Sequence, residues 1–416
     1  MENKERVSVT KTMKTIAVAG ALDTKEKENL YLADRIREFG CNVYLVDMGV
    51  LGEPSVQADV QACQTAHLGG TELEVLRREK DREKGLAVMA RGAAIAVRQA
   101  YEEGKIDGVI AMGGGQGTYM AAHIMRALPI GFPKVLVSTI ATSAYDQKQF
   151  EGINDTMVIN PLVDVAGDNS VLCMVMERAA AAIAGMAQYR SDRKEDERLK
   201  VGITMWGVTS PCVAVIQNIL EQNGYEVLVF HATGLGGRAM EDLVREGKLK
   251  GVVDITLAEL GNQVVGGTFA ECDYRCETAG KMGIPQVIVP GGLDMIKYVP
   301  PENLPEKFRD RKRYMHNENL LFVRSNAEEN REMAKEIARK LNAGTGETMV
   351  MLPLKGISAI DKSGEVFYEP EADFALFETL KKELKPEIKL VEYDMHINDA
   401  AFAANVAECI LKALKK

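Results

Sequence analysis

The chain has 416 residues, 46% of them hydrophobic and 27% charged, and 51 basic against 60 acidic side chains give a formal net charge of -9. That length exceeds the roughly 100 to 200 residues one domain usually carries, and the composition excludes a mainly disordered or fibrous chain. The acidic balance removes the electrostatic footprint of a general nucleic-acid binder.

Residues 15–20 (TIAVAG) predict a buried strand. A helix-period run from 25 to 39 follows, stopped by Gly40, and 42–47 (NVYLVD) predicts a second strand, so the unit is βαβ. A long helical stretch over about 73–103 leads to a strand at 108–113 with a glycine-rich turn, and 133–138 gives a further buried strand. This alternation predicts parallel strands with helices on both faces. An alanine-rich helix over about 170–189 runs into the charged segment 190–200, which marks a domain boundary. The pattern then starts again: 200–207 matches the opening strand, 226–231 the second, 251–255 the strand at 108–112, and 284–290 that at 132–138. The expected architecture is α/β, with two similar doubly wound parallel-sheet domains over 14–190 and 200–416. Duplication and chance likeness between parallel strands both account for the repeat.

No apolar run reaches the roughly 18 residues that span a bilayer, and the polar stretch 1–14 lacks the apolar centre of a signal peptide, so no membrane contact and a cytoplasmic location are expected. Seven scattered cysteines suggest reduced thiols; Cys272 and Cys276, four apart, suit one helical turn and lack the second pair of a zinc knuckle.

Candidate chemistry lies at strand ends. Gly113, Gly114, Gly115, Gln116 and Gly117 follow a buried strand and precede a helix beginning near Tyr119, where glycines let backbone approach a phosphate and the helix N-terminus favours negative charge. The spacing fits neither a P-loop nor the dinucleotide fingerprint, and close helix-sheet packing also explains such glycines. Asp23, Thr24 and Lys25 read equally as a helix N-cap or as ligand contacts. In an open parallel sheet the loops 23–25, 47–50 and 113–118 meet at the switch point, which favours a nucleotide pocket there. Arg91 is either a surface arginine or a guanidinium for its phosphates. In the second half, residues 231–237 (HATGLGG) repeat the anion-binding pattern, with His231 placed for general acid or base work or for a structural role. Asp254 and Glu259 flank Thr256, Asp294 follows Gly291 and Gly292, and Asp394, His396, Asn398 and Asp399 close a late strand, Asn398 or Asp399 as a helix cap. His231, Asp294, Asp394 and His396 together are the material of a proton-transfer or metal site. Residues 300–319, with three prolines and five basic side chains, read as a solvated loop or as a mobile lid that brings arginines onto an anionic substrate.

These motifs, in order from Asp23-Thr24-Lys25 and Arg91-Gly92 through residues 112–118 (MGGGQGT), 128–135 (LPIGFPKV), 204–209 (TMWGVT), 230–234 (FHATG), His316-Asn317 and 396–399 (HIND), resemble the Tm-1-like ATP-binding family from about residue 14 to the C-terminus. The resemblance implies two Rossmann-like subdomains, a homodimer, and ATP bound by the first subdomain through Asp23, Thr24, Lys25, Val50, Arg91, Gly113, Gly114, Gly115 and Gln116. Gln116 and Tyr145-Asp146 depart from the family's small-residue pattern. Plant members carry a further barrel domain, for which this chain has no room, so a separate barrel-type partner protein is an expectation. The leading expectation is thus a cytoplasmic ATP-binding protein acting on a small anionic metabolite in an interdomain cleft. ATP would be substrate or regulator, arriving with Mg2+, and His231, His396 and Asp294 would be the catalytic candidates. An ATP-stabilised module that recognises a protein partner and a metal-dependent hydrolase or lyase are the alternatives.

Overall fold

The computed structural model describes residues 13–142, 147–150, 152–189, 196–270, 273–299, 302 and 304–415. Cys272, Tyr145, Asp146 and most of the charged segment 190–200 lie outside them. The chain forms two compact units divided between residues 194 and 195.

The first unit runs β1 (Thr15–Gly20), α1 (Leu22–Glu38), β2 (Asn42–Asp47), α2 (Ala62–Leu68), α3 (Leu73–Glu79), α4 (Arg82–Glu102), β3 (Gly108–Gly113), α5 (Gly115–Ala127), β4 (Lys134–Ser138), β5 (Met157–Ile159) and α6 (Ser170–Gln188). Its sheet has the order β2-β1-β3-β4-β5, every pairing parallel. Both faces are covered, which is why its inner strands read as unbroken apolar runs. Ile16, Val18, Ile110, Met112, Val135 and Val137 pack against residues of α1 and α6. Ala17, Ala19, Val109, Ala111 and Leu136 pack against residues of α2 to α5. The single helix expected over 73–103 is two helices. Lys80 takes a left-handed φ of 55°, and Asp81 starts α4 by accepting a hydrogen bond from the Lys84 N–H at 3.0 Å. By length and composition α6 could cross a membrane, with a mean hydropathy of 1.5. Its Leu172, Met176, Ala180 and Ile183 are instead core residues of this unit.

The second unit runs β6 (Lys200–Met205), α7 (Ser210–Gln222), β7 (Glu226–His231), α8 (Leu235–Arg245), β8 (Gly251–Thr256), α9 (Ala258–Val265), α10 (Thr278–Lys281), β9 (Gln286–Gly291), β10 (Met295–Tyr298), β11 (Arg313–Asn317), β12 (Leu320–Arg324), α11 (Ala327–Asn342), β13 (Thr348–Pro353), α12 (Pro370–Glu383), β14 (Lys389–Tyr393) and α13 (Ala400–Leu414). The main sheet is parallel in the order β14-β13-β9-β8-β6-β7. Its β7-β6-β8-β9 portion repeats β2-β1-β3-β4, so the four pairs of strands matched by sequence take equivalent places in their sheets.

A small antiparallel sheet, β10-β12-β11, is an addition that the sequence reading did not contain. It corrects the mobile-lid reading of 300–319. Arg313 to Asn317 form a strand on β12, and three of the neighbouring cations are bonded within the fold, while Arg309 stays exposed. Lys307 donates to Val265 O at 3.3 Å, Lys312 to Tyr368 O at 2.7 Å, and Arg311 pairs with Glu329. The helical turn expected around Cys276 is also absent: Cys276 has a φ of 63° and sits in a turn before α10.

Candidate functional site

In the first unit β2 and β3 flank β1, so the chain leaves the carboxyl ends of three adjacent strands at one switch point. α1 enters this crevice without a side-chain cap of its own. Its N-cap is Ala21, and neither Asp23 nor Thr24 fills that role. Asp47, at the end of β2, does the work from outside. Its Oδ1 accepts hydrogen bonds from Leu22 N at 3.0 Å and Gly49 N at 2.8 Å, satisfying one of the N–H groups a helix start leaves unpaired. Asp23 reaches the other way, its Oδ2 accepting from Val50 N at 2.8 Å and Leu51 N at 2.7 Å. Two carboxylates thus stitch the start of α1 to the loop after β2. They bring Asp23 and Val50 together and hold the crevice wall in place before any ligand arrives.

Lys25 interrupts the helical backbone with φ -132° and ψ 31°, while Thr24 is exposed beside it. Asn29, 1% exposed, supports the kink by donating from Nδ2 to Lys25 O at 2.8 Å, and its own Oδ1 is buried without a partner.

On the neighbouring strand the glycine turn continues straight into a helix, since α5 starts at Gly115 and not near Tyr119. Thr118 N donates to Gly114 O at 2.8 Å, and the Thr118 and Ser138 hydroxyls meet at 2.7 Å, which fixes the first turn against β4. A Cβ on Gly113 would come within 2.7 Å of Gly117 Cα, so this glycine serves close packing. Gly115 differs. A Cβ there would meet nothing within 4 Å, and Gly115 and Gln116 are exposed. The first turn of this 13-residue helix is therefore exposed at Gly115 and Gln116, with the positive end of the helix dipole behind it. Arg91 is exposed on α4, where its Nη1 donates to Gly69 O at 3.2 Å.

The glycine-containing turn after β7 in the second unit is closed. Gly234 N and Gly237 N at the start of α8 donate to Glu259 Oε1 at 2.5 and 3.1 Å. Residues 231–237, expected to bind an external anion, are thus filled by an internal one. Glu259 is held there by Arg275, which is fully buried. Arg275 Nε donates to Glu259 Oε2 at 2.6 Å, and the guanidinium forks onto Asp254 at 2.6 and 2.9 Å. Nearby, burial pushes the Glu241 carboxyl up.

Of the catalytic candidates of this unit, His396 and Asp294 meet at one residue, Ser358, through internal hydrogen bonds. His396 accepts from Asn398 N at Nδ1 (3.1 Å), so Nε2 carries the proton and donates to Ser358 O at 2.8 Å; both ring nitrogens serve the turn before α13. Asp399 is the N-cap residue of α13, but its carboxylate bonds back to His396 N. Asp294 is completely buried, accepting from Ser358 Oγ at 2.7 Å, and burial together with the Asp361 carboxylate pushes it up to about 7. Asp394 is exposed and paired with Lys355. No group of three or more His, Cys, Asp and Glu side chains is arranged to hold a metal ion among the described residues.

His231 is exposed at the end of edge strand β7, and its imidazole is pushed below its ordinary value by partial loss of hydration and by the Lys297 ammonium. Lys297 is fully buried, its Nζ 3.5 Å from the Trp206 ring centroid and donating to Ala232 O at 3.1 Å. Lys297, Arg275 and Asn29 escaped the sequence reading. The available signal was a charged or amide residue in an apolar stripe, as in 295–298 (MIKY), or Asn29 on the same helix face as Leu32, Ala33 and Ile36.

Fold and site together define a two-unit Rossmann-like α/β protein with an exposed glycine-rich turn at a helix start in its first unit. The chain belongs to the uncharacterised protein family UPF0261, whose N-terminal domain matches residues 14–192 and whose C-terminal domain matches 198–414. A UPF0261 protein of Clostridium tetani is 42% identical over 97% of this chain and 100% of its own length. The ToMV resistance protein Tm-1(GCR237) of Solanum lycopersicum is 36% identical over 95% of this chain, which spans 55% of that protein. Among solved structures, the glycosyltransferase VinC in complex with DTDP is 12% identical, with 95% of this chain and 100% of that chain covered, at a TM-score of 0.20. A UDP-N-acetylglucosamine 2-epimerase is 9% identical, with 96% of each covered, at 0.23. Likenesses this loose carry no argument.

Proposed function

We propose that the first unit binds ATP, its phosphates lying at the Gly114–Gly117 turn. The observation that carries this reading is the exposed start of α5 at the sheet's switch point, where no carboxylate among the described residues is bonded to the first-turn N–H groups. The glycine turn at the start of α8, which follows a strand in a different place in its sheet, has one. ATP arriving with Mg2+ supplies a transferable phosphoryl group or a regulatory signal. Lys25, on the kinked turn of the adjacent strand end, is the cation offered to its charge. Calorimetric titration of MgATP into the full chain tests the reading, with Gly115→Val alongside. A side chain there has open space in the fold and intrudes on the phosphates. Saturable binding weakened tenfold or more, about 1.4 kcal/mol, is expected for the folded variant; unchanged binding contradicts it.

The second unit is proposed to handle a small anionic metabolite beside the exposed His231, which moves a proton there while the buried Lys297 ammonium favours its neutral form. The binding-module reading draws support from one observation: His396 and Asp294 are both engaged in internal hydrogen bonds, so His231 stands alone of the three candidates. His231→Gln separates the two readings. An enzyme loses turnover with ATP affinity retained; a binding module shows no turnover to lose.

A further inference from the structure

The small antiparallel sheet of the second unit has two faces, set by its register. Arg313 lies opposite Val323 and Met315 opposite Leu321, while Lys297 and Tyr314 both lie opposite Phe322. Side chains alternate along a strand and opposed residues share a side, so Arg313, Met315 and Leu321 stand on one face and Lys297, Phe322 and Tyr314 on the other. The second of these faces packs on Trp206, whose ring centroid is 4.9 Å from that of Phe322. On the first, Leu321 and Val323 join a core with Phe308 and residues of α9 and α11. Toward edge strand β11 that cover ends, leaving Met315 52% exposed. A pocket of about 780 Å3 opens there, lined by Glu302, Leu304, Arg309, Arg313, Met315 and Leu321. Its volume lies within the roughly 300–1,000 Å3 of small-molecule sites.

Its charge says what kind of molecule fits. Five cations crowd residues 307–313, and they divide by where they are bonded. Lys307, Arg311 and Lys312 are engaged within the fold, with Val265 O, Glu329 and Tyr368 O. The other two, Arg309 and Arg313, are exposed, and they are the two that line the pocket. Arg309 reaches Glu306 at 3.6 Å in solvent, a pair of little strength, and Arg313 forms no ion pair among the described residues. Two guanidiniums and one carboxylate, Glu302, thus share the pocket with an apolar floor of Leu304, Met315 and Leu321. A guanidinium fork matches a carboxylate or a phosphate, and the flexible thioether of Met315 adapts to an apolar body laid against it.

We propose that this pocket binds an amphipathic organic anion, its head between Arg309 and Arg313 and its body on Leu304, Met315 and Leu321. The pocket lies across the sheet from Trp206 and Lys297, so it is a second ligand site of this unit and stands independently of the reading built on His231. Ligand-observed NMR titration of the full chain tests it with four probes: octanoate, octyl phosphate, acetate and octylammonium. The expected result is saturable binding of octanoate or octyl phosphate, roughly tenfold or more tighter than acetate, which lacks the body, and octylammonium, which reverses the head. The stronger of the two anions identifies the head group. Arg313→Gln is expected to weaken that binding about fivefold and Glu302→Gln to tighten it; both side chains are exposed, so neither change disturbs the core. Octylammonium bound as tightly as the anions, or no saturable binding of either anion by the wild type, overturns the proposal, and these arms require no variant to fold. Unchanged affinity in folded Arg313→Gln overturns the placement of the head.

Discussion

Asp294 and Asp361 share a closed corner with Arg324 and Asp373, three carboxylates to one guanidinium, and all four side chains are buried. Arg324 donates to Asp373 at 2.6 Å, while Asp294 has a hydroxyl on one oxygen and nothing on the other. An ordinary unfolded aspartate releases its proton near pH 3.9, and Asp294 in the fold holds it to about 7. Between those values the folded state binds the extra proton, so this group's contribution to stability falls as pH rises through the window and is fully lost above it. Asp294→Asn stays neutral throughout and still accepts from Ser358. The stability of the variant relative to wild type is expected to rise between pH 5 and pH 8, read from urea midpoints; the same difference at both pH values would contradict the assignment. The residue was visible in the sequence as a polar strand-end group. Its enclosure was not, because the residues that bury and charge it, Arg324, Ser358, Asp361 and Asp373, come from three distant segments.

At the scale of elements, two helices with glycine-rich starts differ: that of α8 holds an internal carboxylate and that of α5 is exposed. The sequence pattern after β3 and after β7 is alike, and both were legible as anion-binding turns. What separates them is Glu259, one residue into α9, brought under α8 and oriented by Arg275. No local spacing announces a contact between residues 25 positions apart. Glu259→Ala is expected to destabilise the second unit by about 3–5 kcal/mol, since it leaves the buried Arg275 with a missing partner and α8 with unpaired N–H groups. Chemical denaturation reads this directly, and a loss below about 1 kcal/mol would mean that solvent replaces the carboxylate. The same limit explains the lid. Three prolines and a basic run describe 300–319 as a loop when read alone, but strand β12, apolar and five residues long, gives part of it an antiparallel neighbour.

Across the whole molecule, the alternation of apolar strands and amphipathic helices carried the α/β class and the repeat of β1 to β4 in β6 to β9, because parallel strands covered on both faces leave uninterrupted apolar runs. The antiparallel sheet and the buried charge networks were not legible, since they depend on pairings between distant segments. Under the proposed ATP reading two glycine-rich turns divide the labour: α5 takes an external anion and α8 an internal one. Hydrogen exchange on the full chain, with and without saturating MgATP, tests it most directly. The account predicts added protection in peptides covering 20–26, 47–58 and 113–118, with 231–237 unchanged because Glu259 already holds those N–H groups. Protection centred on 231–237, or none at 113–118 with nucleotide bound, would contradict it.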